Sequence, residues 1–194
     1  MTEATLQRAV FLDRDGTLIR EVGYLTRPEQ IEILDGVPAA IRTLRQAGFK
    51  TVVVTNQSAV ARGWLAESEL KRIHRLIEDR LASQGARLDA IYYCPHHPSE
   101  GIGRYRVDCE CRKPKPGMVL RAAEDLALAP KRSYVLGDQK VDLELALRVG
   151  ATPVVVRSNG ERTLVSHEPV FDNLKLAAEW ILTRGQGSNE GVIP

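Results

Sequence analysis

Short β-branched apolar runs, separated at regular intervals by amphipathic stretches, constrain this chain more than any other feature. "RAVFLDRDG" holds one such run, Ala9–Leu12, which breaks into a polar turn. "KTVVVTNQS" is a second, ending at Thr55; "LDAIYYCP", "SYVLGD" and "TPVVVRS" are three more. Between them, "DGVPAAIRTLRQAGF" places Val37, Ile41 and Leu44 on one helical face, with Gly48 as a stop. "AESELKRIHRLIEDRLASQG" does the same with Leu70, Ile73, Ile77 and Leu81, and stops at Gly85. "PGMVLRAAEDLAL", "KVDLELALRVG" and "NLKLAAEWIL" complete the helices. The order is β-α-β-α-β-loop-α-β-α-β-α. Strands that are apolar throughout, alternating with helices, predict an α/β fold: a parallel, Rossmann-like sheet covered by helices on both faces. No composition shift marks a second domain, so a single domain is expected over residues 1–184, with a mobile tail over 185–194.

The chain has 194 residues and a net charge of +2, which calls for neither a nucleic-acid nor a membrane partner. Its first residues lack a signal-peptide core, and no apolar run approaches a membrane span. Three cysteines cannot all pair within one chain, and Cys109 and Cys111 stand too close for an easy disulfide. A reducing compartment, the cytoplasm, is the expectation, with the thiols free or on a metal.

In a parallel α/β sheet, ligands bind beyond the carboxyl ends of the strands. Asp13-Arg14-Asp15-Gly16-Thr17 follows the first strand, and Thr55-Asn56-Gln57-Ser58 the second. Arg112-Lys113 follow the cysteine-bearing loop, and Gly137-Asp138 the fourth strand, with Asp142 one helical turn on. A lone Asp at a strand end is ordinarily a turn or cap residue. Four complementary polar strand ends form a site. Asp13 and Asp138 brought together would repel each other without a cation, and an oxygen-only ligand set suits Mg²⁺.

"FLDRDGTL", "VVVTNQS", "RKPKPGM" and "VLGDQKVD" resemble, in order and in position, motifs I to IV of the haloacid-dehalogenase-like (HAD) phosphatases. The resemblance implies phosphoryl transfer through an aspartyl-phosphate. Asp13 would be the nucleophile and Asp15 the general acid/base. Thr55 and Lys113 would hold the transferring phosphoryl group. Asp13, the main-chain carbonyl of Asp15, and Asp138 would hold Mg²⁺. Asp142 would orient Lys113 or a metal-bound water. Neither Thr17–Val52 nor Ser58–Cys111 leaves room for a cap domain, so loops must screen the site: "REVGYLTRPEQ", "SAVARGW" and the cysteine loop.

That loop, "CPHHPSEGIGRYRVDCECRKPKPG", holds all three cysteines of the chain. Cys94-x-His96 and Cys109-x-Cys111 offer three thiolates and an imidazole, which suits a closed, tetrahedral, structural Zn²⁺ site. His97 is the weaker ligand candidate. A loop pinned this way fixes where Arg112 and Lys113 point.

Within the superfamily, "CPHHP…CECRKPKPGM", "TNQSAVARG" and "DGTLIREVGYL" are most similar to the heptose-bisphosphate 7-phosphatase family. The resemblance implies monomeric, Mg²⁺-dependent, zinc-containing enzymes acting on a small phosphorylated sugar. Their product feeds nucleotide-activated heptose for lipopolysaccharide core or surface glycans. Carried over, the substrate contacts are Asp13, Arg14, Asp15, Glu21, Val22, Gly23, Tyr24, Thr55, Asn56, Gln57, Ser58, Arg112 and Lys113. Arg112 would read the second phosphate, with Arg62 behind it as a candidate. Two positions depart from the family pattern: Ala59 where Gly is usual, and Gln139 where Lys is frequent. The rival enzyme is the phosphatase domain of histidinol-phosphate phosphatase, which shares the DxDGT and CxH…CxC elements but lacks the SxxARG run of Ser58–Gly63. A polynucleotide 3′-phosphatase would need an extended basic face that is not seen. A zinc-stabilised binding module would have no use for Asp13, Asp15, Lys113 and Asp138 together.

Overall fold

A computed structural model describes residues 6–157 and 168–186. Six strands form one sheet: β1 (Ala9–Leu12), β2 (Lys50–Asn56), β3 (Ala90–Cys94), β4 (Tyr134–Gly137), β5 (Thr152–Val156) and β6 (Val170–Phe171). Their spatial order is β3-β2-β1-β4-β5-β6, and every pairing is parallel. The helices are α1 (Val37–Gln46), α2 (Ser58–Ala61), α3 (Glu67–Ala82), α4 (Gly117–Leu126), α5 (Lys140–Val149) and α6 (Leu174–Gln186). The five expected strands and five expected helices are present. Besides three 3₁₀ turns, two elements are additional. β6 has only two residues, too few to carry a period, and α2 is a single turn inside the "SAVARGW" loop. The expected tail begins inside α6, and residues 187–194 lie outside the described residues.

Successive residues of a strand face opposite sides of the sheet, and this builds two cores. Val10 and Leu12 join Val53, Leu136 and Val154 in one, covered by α1, α3 and α6. Ala9 and Phe11 join Val52, Val54 and Val135 in the other, covered by α4 and α5. Burial on both sides explains why the central strands are apolar throughout.

Sequential order reverses between β1 and β4, and at such a switch point the two connections leave in opposite directions and open a crevice. Asp13 follows β1 and Asp138 follows β4, so the two carboxylates flank it. No cap domain stands over it among the described residues. β1 and β2 are joined through one 3₁₀ turn (Pro28–Gln30) and α1, β2 and β3 through α2 and α3. The cysteine loop carries only the 3₁₀ turn Gly103–Tyr105. No described helix is long and apolar enough to cross a membrane.

Candidate active site

The main chain of the first motif is held by backbone hydrogen bonds. The Asp13 N–H donates to the Leu136 carbonyl of β4 at 2.8 Å, so sheet register continues one residue past β1. The Arg14 carbonyl then accepts from the N–H groups of Leu18 (2.9 Å) and Ile19 (3.1 Å), and Gly16 supplies the positive φ of 75°. The turn is therefore tight. The Arg14 N–H donates to Asp13 Oδ1 at 2.7 Å, which fixes the carboxylate at the sheet end.

Lys113 reaches this carboxylate from the segment between the cysteine loop and α4. Its Nζ lies 2.8 Å from Asp13 Oδ1 and 2.6 Å from Asp142 Oδ1, and the residue is only 3% exposed. Burial alone would pull its pKa down. The charges of Asp13 and Asp142 outweigh that and raise it, so Lys113 stays an ammonium. Asn56, the last residue of β2, clamps the Lys113 backbone. Its Nδ2 donates to the Lys113 carbonyl at 3.1 Å, and its Oδ1 accepts the Lys113 N–H at 3.0 Å.

Asp142 has no oxygen to spare, since Oδ1 takes Lys113 and Oδ2 accepts the Gln139 N–H at 3.2 Å. A Cβ on Gly137 would lie 2.2 Å from Asp142 Oδ2, which accounts for glycine there. Asp138 is the opposite case. Its Oδ1 is buried without a partner. Burial, then the charges of Asp13 and Asp142, push its carboxyl up to about 7. Oxygens of Asp13, Asp138 and Asp142 all lie within 4.8 Å of one another. Three carboxylates thus face one ammonium, and one carboxylate has an oxygen with nothing to bind. That donor set fits a hard divalent cation held by Asp13 and Asp138.

Asp15 is held differently. Arg14 forks it, with Nη2 donating to Oδ1 at 2.8 Å and to Oδ2 at 2.9 Å, and Nε donating to Oδ1 at 3.1 Å. Gln57 Nε2 donates to Asp15 Oδ2 and to Thr55 Oγ1, both at 2.9 Å, tying the end of β2 to the first motif. Arg14 itself is 1% exposed, and its Nη1 donates onward to His74 Nε2 on α3 at 3.2 Å. The guanidinium expected to touch substrate is therefore spent on Asp15 and His74.

These groups line a cleft of about 510 Å³. Every substrate-facing residue expected from the sequence lines it except Val22, which is 38% exposed on the Glu21–Tyr24 turn. Glu21 is half-buried there, and burial, then the Asp15 charge, raise its carboxyl. Arg112 Nη1 donates to Ser58 Oγ and to the His96 carbonyl, both at 3.0 Å, so the guanidinium sits between the second motif and the cysteine loop. Arg62 is absent from the lining. It stacks over the rings of Tyr24 and Trp64 and pairs with Glu100. Leu25 and Val141 also line the cleft; neither carries chemistry that a sequence motif would mark. Ala59 and Gln139, the two departures from the family pattern, line it too.

The loop cysteines converge as their spacing implies. Cys109 Sγ lies 3.4 Å from Cys94 Sγ and 3.1 Å from Cys111 Sγ. His96 Nδ1 lies 3.4 Å from Cys111 Sγ and 3.8 Å from Cys94 Sγ. These edges are close to those of a tetrahedron with metal–sulfur bonds of about 2.3 Å, so the set fits Zn²⁺. His97 is not in the cluster; its Nδ1 accepts the Glu100 N–H at 3.0 Å. Hydrogen bonds from its neighbours, Cys94 first, pull the Cys111 thiol down to about 5, while the bond to Cys111 and burial hold Cys94 up.

A parallel sheet whose switch point carries an Asp-x-Asp turn, a buried lysine and an aspartate with one buried, unpartnered oxygen defines the HAD-like class of phosphotransfer enzymes. The HAD-hydrolase-like family model matches residues 110–176, and the model described as polynucleotide kinase 3 phosphatase matches residues 8–142. Full-length relatives are more particular. The chain is 44% identical over 167 residues to the D-glycero-beta-D-manno-heptose-1,7-bisphosphate 7-phosphatase of Haemophilus influenzae, covering 86% of this chain and 90% of that one. It is 39% identical to the Escherichia coli protein of the same name, covering 90% and 87%. It superimposes with a TM-score of 0.80 on the D,D-heptose 1,7-bisphosphate phosphatase from B. bronchiseptica complexed with magnesium and phosphate, at 32% identity over 91% of this chain and 99% of that one. The chain belongs to the D-glycero-D-manno-heptose-1,7-bisphosphate 7-phosphatase family.

Proposed function

We propose that this chain hydrolyses the 7-phosphate of D-glycero-β-D-manno-heptose 1,7-bisphosphate and leaves the 1-phosphate in place. The observation that carries this is the cleft itself: one carboxylate braced by Lys113, beside an Asp138 with one unpartnered oxygen, in a chain whose full-length relatives bear that name. The β form follows the relatives' names. The product, a heptose 1-phosphate, suits nucleotidyl transfer toward a lipopolysaccharide or surface glycan precursor.

In this reading an Asp13 oxygen attacks the phosphorus of the 7-phosphate. The bond from phosphorus to the C7 oxygen breaks, and Asp15 gives its proton to that oxygen as it departs. Water then attacks the aspartyl-phosphate at phosphorus and passes its proton to Asp15. The acyl-phosphate P–O bond breaks, inorganic phosphate leaves, and both carboxyl groups are restored. Lys113 and Thr55 hold the phosphoryl oxygens, and Arg112 takes the second phosphate with its planar fork. Asp13, the Asp15 main-chain carbonyl and Asp138 would hold Mg²⁺, which supplies positive charge against the phosphoryl oxygens. Zn²⁺ on Cys94, His96, Cys109 and Cys111 would hold the loop that delivers Arg112 and Lys113. The enzyme would act as a monomer in the cytoplasm.

Phosphate release from a panel tests the substrate: both heptose 1,7-bisphosphate anomers, fructose 1,6-bisphosphate, histidinol phosphate and a 3′-phosphorylated oligonucleotide. The β-heptose bisphosphate is expected to give the highest kcat/KM. Preferred turnover of histidinol phosphate or of the oligonucleotide would sink the assignment.

A further inference from the structure

We propose that His74 is a positioning residue for the acid/base carboxylate: it anchors the Arg14 guanidinium that aims Asp15 into the cleft. The proposal rests on the acid/base role of Asp15 given above. His74 sits on α3, outside the four phosphotransfer motifs, and is 5% exposed. Arg14 can only donate, so His74 Nε2, 3.2 Å from Arg14 Nη1, is the accepting nitrogen and the ring proton sits on Nδ1. The remaining guanidinium nitrogens are used on Asp15, three bonds between 2.8 and 3.1 Å. A planar fork has one orientation for each set of partners. Fixing Nη1 therefore fixes the plane in which Nε and Nη2 meet Asp15.

The anchor is itself held. The Tyr93 ring meets His74 edge to face, centroids 5.4 Å apart. Tyr93 Oη donates to Glu67 Oε1 at 2.8 Å, and Tyr105 Oη, from the cysteine loop, donates to Glu67 Oε2 at 2.9 Å. Arg14 would be buried with a dangling donor if His74 were apolar, and would be free to rotate away from Asp15. A charged group buried this deeply keeps its geometry only while its donors are matched.

The test separates positioning from folding by the leaving group. The kcat/KM of a phosphatase that forms an aspartyl-phosphate reports the steps up to loss of the alcohol. An alkyl alkoxide needs a proton from Asp15 as it leaves, whereas an acidic phenolate does not. For His74→Leu, kcat/KM on alkyl phosphates should fall about 10- to 100-fold, within the range of general acid catalysis. On an aryl phosphate with an acidic phenol it should stay within about twofold. His74→Gln, whose amide oxygen can accept from Arg14 at the Nε2 position, should restore the alkyl rate. Equal losses on both substrate classes, or no rescue by Gln, would overturn the proposal. Asp15→Asn serves as the reference and should show the same leaving-group dependence. If it does not, the acid/base reading fails and the proposal with it. If it does while His74→Leu is flat, the proposal fails alone.

Discussion

The molecule carries two clusters of ligand-type side chains, and they are built in opposite ways. The carboxylate cluster hangs on the sheet. Asp13 and Asp138 each follow a strand, Asp142 lies in the first turn of α5, and Lys113 is clamped by Asn56 at the end of β2. Its geometry is set by the ends of paired strands and by hydrogen bonds among the protein's own atoms. The thiolate cluster has only Cys94 on a strand. His96, Cys109 and Cys111 come from a loop whose regular structure is a single 3₁₀ turn. There the Cys/His cluster joins a few scattered bonds, such as Tyr105 Oη to Glu67 and Arg112 Nη1 to the His96 carbonyl, in holding the chain. One cluster is hard, oxygen-lined and open to a cleft, as chemistry on phosphate requires. The other is soft, and its four ligand atoms close around one point, the donor set a structural staple would use.

The sharpest break in this comparison is Asp13→Asn. The amide is not a nucleophile, so turnover should drop at least about 10³-fold. Because β1 pairs on both sides and the turn is held by main chain, thermal stability should stay within a few degrees of the parent. Phosphate release and a melting curve on the same preparation read both. Retained turnover would remove Asp13 from the mechanism, and a collapsed fold would show that the carboxylate end is structural as well.

Zinc removal should invert that pattern. Cys109→Ser deletes one ligand of four and should release the loop, lowering stability by about 3 kcal/mol, or about 6–12 °C in melting temperature for a domain of this size. Activity should fall with it through Arg112, which hydrogen-bonds the His96 carbonyl. Metal analysis should show one zinc per chain in the parent and none in the variant. A variant that lost zinc yet kept its melting point would reduce the four residues to incidental neighbours.

Both clusters were legible in the sequence, though through different signals. The carboxylates of the site follow an apolar run or open a helix, so strand ends pointed to them without any tertiary information; Lys113 was marked instead by its place after the cysteine loop. The Cys/His cluster was equally legible, because x-spaced pairs need no fold to be noticed. What stayed hidden is contact between distant parts of the chain. His74 occupies the 70–74–77–81 stripe of a helix whose apolar face reads just as well through Ile73. A titratable residue at a buried stripe position was the available signal, but its partner Arg14 lies 60 residues away. Gly137 reads as an ordinary strand end until the Asp142 carboxylate is found against it. β6, with two residues, has too little length for any pattern. Arg14, a substrate contact by family resemblance, lines the cleft, and its bonds to Asp15 and His74 could not be read from the sequence.

The smallest expected effect bears on which cluster fails first in acid. Burial, then the Arg14 charge, hold the His74 imidazole down at about 3, against about 6.5 in an unfolded chain. The folded state therefore resists a proton that the unfolded chain accepts. The contribution is complete above pH of about 6.5 and is lost progressively as pH falls toward about 3, amounting to about 2 kcal/mol by pH 5. Gln at position 74 can accept from Arg14 without titrating, so His74→Gln should flatten the decline in melting temperature between pH 7 and 5 by about 4–8 °C. Zinc loss follows protonation of the thiolates and should occur at the same pH in both proteins. Parallel melting curves would place the acid limit in the cysteine loop, whereas a flatter curve with unchanged zinc release would place it behind the catalytic turn, where a neutral histidine supports a buried cation.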